Sequence, residues 1–418
     1  MSRASLWRHR EFVKLFAGQS ISQVGSRITR TALPFAAVIT LGAGPFQMGL
    51  LSGATAAASL VFGLFGGAWA DRLRRRPILI GTDLARAAVL ACVPLAAWQH
   101  WLSMGVLYAV AGITGALTVL FDSSYQAYVP SLVERENIVQ ANAKLALSDS
   151  MAEVTGPGAA GVLVSALTAP IAIAFDALSF LVSAVSLALI RKHEPAPERV
   201  EGSHILREIQ DGLHVVWRSP YLRPMALRSA TAAFFMGSFG SLYPLLTVKV
   251  LGLTPATIGF IVSVGGAFAI AGSLVSERVV ARIGIGRTFL AAVILSALAS
   301  FLHPLAHGSV LLACAFLCAG QVGDFVFPAL NVAEMSIRQA AAPPHILARV
   351  NSAMNLLFTG IIPVGAFVGG AVASGIGVRA TMLIGAGGYL ASSLWLIFSP
   401  IPALRELPPT KEASSAVT

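Results

Sequence analysis

Apolar stretches of about 20 residues or more, separated by short charged turns, recur along the whole chain, and each is long enough to cross the hydrocarbon of a bilayer as a helix. No other feature leaves so few folds open, because a chain in lipid must satisfy every backbone donor and acceptor internally. The punctuation is sharpest at Gly67-Ala68-Trp69-Ala70-Asp71-Arg72-Leu73-Arg74-Arg75-Arg76-Pro77. Before it lies an uncharged run, Gly49 to Ala70, and after it a run from Ile78 to Trp98 with only Asp83 and Arg86. One acid and a row of arginines cannot sit in hydrocarbon, so the segment marks a tight turn at one membrane face. Composition agrees: 56% of the 418 residues are hydrophobic and 11% are charged, against about 25% in soluble domains.

The pattern predicts an all-α membrane protein with spans at 12–40, 46–70, 77–98, 103–126, 140–166 and 170–190, then 222–249, 255–280, 287–305, 309–332, 347–375 and 379–398. These twelve helices form two pseudo-symmetric six-helix bundles, residues 1–190 and 222–398, joined by a linker at 191–221 and followed by a disordered tail at 399–418. In the linker Leu206, Ile209, Leu213, Val216 and Trp217 fall at helical spacing, with Arg207, Glu208 and Asp211 on other faces. That is an amphipathic helix lying on the membrane surface or on the bundle ends. The basic amino terminus has no short apolar core ending in a cleavage site, so the first span is read as retained.

The lysines and arginines set the orientation. With the amino terminus inside, 23 of the 29 fall in inner segments, and only Lys249 and Arg379 fall outside. Arg27, Arg30, Arg86 and Arg228 lie within or at the ends of spans. Both termini are therefore expected in the cytoplasm, with the protein in a bacterial inner membrane. The net charge of +10 is orientation charge spread over separate loops, not a nucleic-acid stripe. Cys92, Cys314 and Cys318 lie inside apolar runs and read as small core residues.

The halves echo each other. Gly67 to Arg76 closes the second span, and Gly272-x-x-x-Ser276-Glu277-Arg278 with Arg282 and Arg287 closes the eighth. Val139-Gln140-Ala141-Asn142-Ala143 opens the fifth span, and Arg349-Val350-Asn351-Ser352-Ala353 opens the eleventh. Gly156-Pro157-Gly158-Ala159-Ala160-Gly161 has a weaker echo in Pro363-Val364-Gly365 with Gly369-Gly370. Duplicated six-span halves suit a transporter that rocks about a site near mid-membrane.

The turn Gly67-x-x-x-Asp71-Arg72-x-x-Arg75-Arg76 resembles the signature loop between spans two and three of the major facilitator superfamily. A narrower resemblance is to the branch with the enterobactin exporter and the macrolide efflux proteins. It rests on Phe121-Asp122, Pro130-x-Leu132-Val133, Gln140-Ala141-Asn142, Gly156-Pro157, Asp176-Ala177-Leu178-Ser179-Phe180 and Arg349-Val350-Asn351. The resemblance implies secondary active transport, most often proton-driven export, and Gly156-Pro157 looks like the antiporter motif of exporters. Many members carry an acid after the first-span glycine, where this chain has Gly25-Ser26. The resemblance also implies a gate, in which Gly67, Asp71, Arg72, Arg75 and Arg76 work with Asp122 at the inner end of span four. A static basic anchor is the other reading of that cluster.

Charges inside spans are the next signal, since an unpaired one costs at least about 2.5–3.5 kcal/mol on insertion scales. Arg27 and Arg30 share a face of span one, and Asp149 and Glu153 share a face of span five. An ion pair between those faces is expected. It serves as a fixed network, or one acid, with Glu153 nearer mid-depth, exchanges a proton with transport. Asp83, Arg86 and Asp176 read as structural. Asp324, with Gln321 and Phe325 beside it in span ten, is a proton- or cation-handling candidate. Tyr125 in span four and Phe234, Phe235, Phe239 and Tyr243 in span seven are candidate cavity lining, with lipid-facing packing as the alternative for each. Gly156, Pro157 and Pro363 mark spans five and eleven as helices that bend, or simply pack closely.

No P-loop, HExxH motif or cluster of histidines is present, so no enzyme, cofactor or metal is expected. The expected function is proton-coupled export of a bulky amphipathic small molecule, such as a drug, siderophore or secondary metabolite, by alternating access. Partners are the substrate, protons and membrane lipid, with the protein a monomer and nucleic acid excluded. A lipid or lysophospholipid flippase and a non-transporting membrane sensor or enzyme are the other readings.

Overall fold

The computed structural model describes residues 6–70, 74–192 and 205–407, apart from the side chains of Arg8, 64–70 and 205–208. The tail beyond 407 and the linker from 193 to 204 lie outside the described residues. Every regular element among them is helical: α1 Arg10–Phe35, α2 Pro45–Ala70, α3 Arg75–Trp98, α4 Met104–Leu132, α5 Ile138–Ala166, α6 Ala169–Ala188 and α7 Ile205–Arg218. There follow α8 Leu222–Leu245, α9 Pro255–Ile283, α10 Ile285–Ser300, α11 Leu302–Leu305, α12 Val310–Gly320, α13 Val322–Ala341, α14 Leu347–Ile376, α15 Val378–Ala391 and α16 Leu394–Ile397. Hydroxyls cap several starts: Ser103 Oγ accepts from Val106 N–H, Thr168 Oγ1 from Ile171 N–H and Ser309 Oγ from Leu312 N–H. Each satisfies a donor that the first turn cannot pair itself.

Among the described residues, ten helices are long and apolar enough to cross a membrane. The twelve-span expectation exceeds that by two, and the reason is chemical. Of the expected spans, those outside the ten are α1 and α5. Helix α1 carries Arg10, Glu11, Lys14, Arg27 and Arg30, and α5 carries Lys144, Asp149 and Glu153.

The chain divides into two compact units. Unit 1 holds α1, α2 from Ala54, α3 to α6, and the start of α9 from Thr254 to Ser263. Here α1 packs on α6 and α5, and α3 on α6 and α4. Unit 2 holds Gly44–Gly53 of α2 and the rest of the chain from Gly202, with α8 on α14 and α15, and α10 on α13. An apolar cluster in it gathers Leu222, Met225, Phe289, Ile337, Val350 and Ile401. Helix α7 lies along α14. Ile209 and Val216 are buried, Gly212 faces the Arg349 carbonyl, and Asp211 Oδ2 accepts from Arg349 Nη1 at 2.9 Å.

Two repeats visible in the backbone were passed over in the sequence. After Pro34 and after Pro244 the helix widens into a π turn, Ala36–Thr40 and Leu246–Val250. Each ends on a glycine with positive φ, Gly42 at 67° and Gly252 at 65°. The closing bonds match as well: Ala43 N–H reaches Ala37 O at 2.9 Å, and Leu253 N–H reaches Thr247 O at 3.0 Å. The second repeat is a glycine crossing. In unit 1 a Cβ on Gly259 would lie 3.1 Å from Gly161 Cα, and in unit 2 a Cβ on Gly49 would lie 3.1 Å from Gly370 Cα. Only glycine permits such an approach between helices.

Candidate functional site

The charges of α1 and α5 meet. Arg27 Nη2 donates to Asp149 Oδ1 at 2.9 Å, and Arg27 Nη1 is bridged to Glu153 Oε2. Gly156 faces Arg27 directly, where any side chain on α5 would collide with Arg27 Cβ. Thus the glycine expected to bend α5 sets its distance from α1. A hydroxyl pair one turn away, Ser148 to Ser20 at 2.7 Å, joins the same two helices. Arg30 is the second cation here, within electrostatic range of Asp149, Glu153 and Asp122. The acids are not sealed in: side-chain exposure is 14% for Arg27, 47% for Asp149 and 53% for Glu153. They sit at an accessible edge of the network, not in its core.

A second unit 1 network is closed. Asp83 Oδ1 accepts from Arg86 Nη2 at 2.5 Å, and the pair is almost wholly buried. The Arg86 guanidinium lies between the Phe121 and Phe180 rings, 4.3 and 4.1 Å from their centroids. Nearby, Ser183 Oγ accepts from Gln19 Nε2 at 2.9 Å. Asp176 is buried with the Ser179 hydroxyl on its Oδ1 at 2.9 Å, and Gly25 packs against both. A paired, stacked arginine of this kind fixes α3 against α4 and α6.

Of the expected gate, Asp71 and Arg72 lie outside the described residues, and Gly67 falls in the last turn of α2. Arg75 opens α3. Arg76 donates from Nε to Leu187 O at 3.0 Å and from Nη2 to Ala188 O at 2.6 Å, capping the open carbonyls at the end of α6. Asp122 is exposed on α4, within electrostatic range of Arg86, Arg30 and Asp149.

In unit 2 the helix of span ten breaks at Gln321, between α12 and α13. Asp324 and Gln321 then lie in the first turn of α13 and at its cap, and both crowd the bare face of Gly265 on α9. The aromatic candidates pack on different neighbours. Phe239 and Tyr243 pack their rings against His303, at 5.4 and 5.7 Å. Phe234 and Phe235 stand edge to face at 5.1 Å, with Phe235 against Gly388 of α15. Phe325 presents its backbone to Gly272, and Pro363 lies inside an unbroken α14. In unit 1, Tyr125 stacks on Phe121 at 5.7 Å.

One cluster escaped the sequence. Helix α13 continues to Ala341, past the expected end of the span at 332, and so carries Glu334 and Arg338. Glu334 Oε2 pairs with Arg228 Nη2 of α8, and Glu334 Oε1 accepts from Arg338 Nη2 at 2.8 Å and from Ser229 Oγ at 3.2 Å. These groups open on a cavity of about 360 Å³ walled by Met236, Phe327, Met335, Met354 and Phe358. The signal was available: Arg228 is an orphan cation in span seven, and Glu334 stands four residues before Arg338 on one helix face.

The sequence profile of the Major Facilitator Superfamily matches residues 15–362. The chain is 27% identical over 412 residues to the multidrug efflux pump Tap of Mycolicibacterium fortuitum, covering 95% of each. It is 24% identical over 415 residues to macrolide efflux protein A of Streptococcus pyogenes, covering 97% of this chain and 99% of the relative. Among solved structures, a bacterial homologue of the iron transporter ferroportin in an inward-facing state superposes with a TM-score of 0.73 at 16% identity, over 94% of this chain and 99% of the other. The nucleoside transporter NupG does so with a TM-score of 0.72 at 13% identity, over 93% and 98%. At such identities these two establish the fold alone. The resemblance to macrolide efflux proteins read from the motifs is thereby borne out, the family and these relatives are transporters and not enzymes, and the chain is a multi-pass membrane transporter belonging to the Major Facilitator Superfamily.

Proposed function

We propose that this transporter is a proton-coupled exporter of bulky amphipathic small molecules, working by alternating access. In this reading α1 and α5 join the ten apolar helices as spans, giving two six-helix bundles in a bacterial inner membrane with both termini cytoplasmic. The protein acts as a monomer, and Asp71 with Arg75 or Arg76 and Asp122 forms its inner gate.

The observation that carries the reading is the single guanidinium of Arg27 held by two half-exposed carboxylates, Asp149 and Glu153. An ionised side chain is expensive at membrane depth, so three of them are kept there for use. Protonating one acid loosens Arg27 while the other still holds it, which gives the α1–α5 contact two states. The similarity to efflux proteins supports an outward direction of transport. The cost of opening is shared between Asp149 and Glu153, so neither acid must be fully desolvated.

The test uses the purified full-length chain in proteoliposomes, following a cationic dye and the internal pH together. Dye efflux should require an imposed proton gradient, and Glu153→Gln should abolish the coupled pH change. A Glu153→Gln protein that still moves protons with dye would remove Glu153 from the mechanism. Efflux indifferent to uncouplers in the wild type would overturn proton coupling altogether.

A further inference from the structure

The cavity of unit 2 has an unbalanced charge. Two guanidiniums, Arg228 and Arg338, face one carboxylate, Glu334. Both oxygens of that carboxylate are already engaged, Oε2 by Arg228 and Oε1 by Arg338 and Ser229. Each gives only Nη2 to the acid, so the two guanidiniums carry one positive charge more than the carboxylate balances. The cavity therefore carries a net positive charge, and Asn331, Asn355 and Tyr389 complete its polar lining. Around this head lie three methionines and two phenylalanines, Met236, Met335, Met354, Phe327 and Phe358, a soft apolar wall that fits varied shapes.

We propose that this cavity binds the anionic head, a carboxylate or phosphate, of an amphipathic molecule whose apolar body lies against the methionines. The volume of about 360 Å³ suits a molecule of two or three rings or a short acyl chain. The forked donors of Arg338 and Arg228 match the planar carboxylate and the phosphate edge, which a lysine pair would not. In a low-dielectric surround the excess cation is stabilised by any anion that enters, so the site favours anions over neutral or cationic analogues of the same shape. The ligand is a transported substrate or an anionic lipid; the head chemistry is common to both. The inference rests on the exporter reading only in so far as the occupant is cargo.

The experiment places the full-length protein in nanodiscs of phosphatidylcholine and measures binding of 1-naphthyl phosphate by equilibrium dialysis. 1-Naphthol and 1-naphthylmethylammonium serve as neutral and cationic comparators, and empty nanodiscs correct for partitioning. The wild type should hold the phosphate about tenfold tighter than either comparator, as expected for one charge-assisted contact. Arg338→Gln should erase that preference, and Arg338→Lys should keep part of it. Arg338→Gln leaves the Arg228–Glu334 pair matched, so the fold survives; a melting curve verifies this. Repeating the assay in nanodiscs with phosphatidylglycerol separates the sources: competition by that lipid assigns the site to lipid heads, and indifference assigns it to a free amphipathic anion. Equal affinity for the three naphthyl probes, or an Arg338→Gln protein that keeps the preference, overturns the proposal. A wild type that exports the cationic dye yet shows no anion preference sinks this inference and leaves the exporter reading standing. One that shows the anion preference while its efflux of cationic and anionic dyes alike is indifferent to uncouplers does the reverse.

Discussion

Two ion clusters join helix pairs in this molecule, and their stoichiometry is inverted. Between α1 and α5 one arginine, Arg27, serves two acids that are about half exposed. Between α8 and α13 one acid, Glu334, serves two arginines, and exposure falls to 6% for Arg228, 12% for Glu334 and 17% for Arg338. The first puts two carboxylates on one guanidinium, in reach of protons, with Arg30 as a second cation nearby. The second puts two guanidiniums on one carboxylate at the edge of a cavity. The ion pairs in the two units are therefore not copies of one another. Backbone devices such as the π turns and glycine crossings repeat, while the chemistry has diverged.

The sharpest way to break the comparison is Glu334→Ala. It strands two buried guanidiniums at once, and removing one partner of a buried pair costs about 3–5 kcal/mol. We expect most of the protein to be lost from the folded peak on size-exclusion chromatography in mild detergent. Recovery at wild-type yield and melting temperature would show that the unit 2 cluster is as solvated as that of unit 1.

The next effect concerns the glycines beside each cluster's helices. Gly365 of α14 lies against the Phe234 carbonyl, and Gly156 of α5 lies against the Arg27 side chain. Neither contact relaxes by a rotamer change, since one atom is a backbone carbonyl and the other, Arg27 Cβ, is one bond from the backbone. Overpacking costs about 1–3 kcal/mol, so both Gly365→Ala and Gly156→Ala belong near the top of that range. Thermal melting of both proteins in the same detergent checks that the losses match.

Legibility followed the strength of the local signal. Apolar runs delimit helices because lipid permits little else, and the helix starts at 45, 104, 169 and 222 lie within a residue of the expected ones. The pairing of α1 with α5 was readable because charges in apolar runs demand partners, although which arginine answers depends on the close approach at Gly156. The Glu334 cluster was missed because charged residues were taken to end span ten, when α13 carries them on for another two turns. The aromatic candidates show the converse. Phe235 and Tyr243 are spaced like cavity lining, but a helix face does not reveal what packs on it, and both rings meet neighbouring helices.

A smaller effect tests what the units share. Gly42 and Gly252 hold positive φ after matching π turns, and a Cβ at either would meet nothing within 4 Å. The cost of Gly→Ala there is purely conformational, about 1–2 kcal/mol for an L residue in the left-handed region. Gly42→Ala and Gly252→Ala should lower the melting temperature equally, and asparagine, which tolerates that region, should cost less at both. Unequal losses would mean that the turns have diverged as the clusters have.

The smallest expected change in stability belongs to Arg27→Gln, and it carries the most about function. With Asp149 and Glu153 about half exposed, losing their cation leaves acids that solvent can screen, so the fold should weaken by about 1 kcal/mol or less. Transport should respond differently. If the α1–α5 bridge is made and broken in each cycle, a neutral residue at 27 removes one of its two states, and gradient-driven dye efflux should stop in protein that melts like the wild type. A protein that melts normally and pumps normally would make the Arg27 cluster a passive strut. A protein that fails to fold would place it beside Glu334 as a buried anchor, and the contrast between the two clusters would vanish.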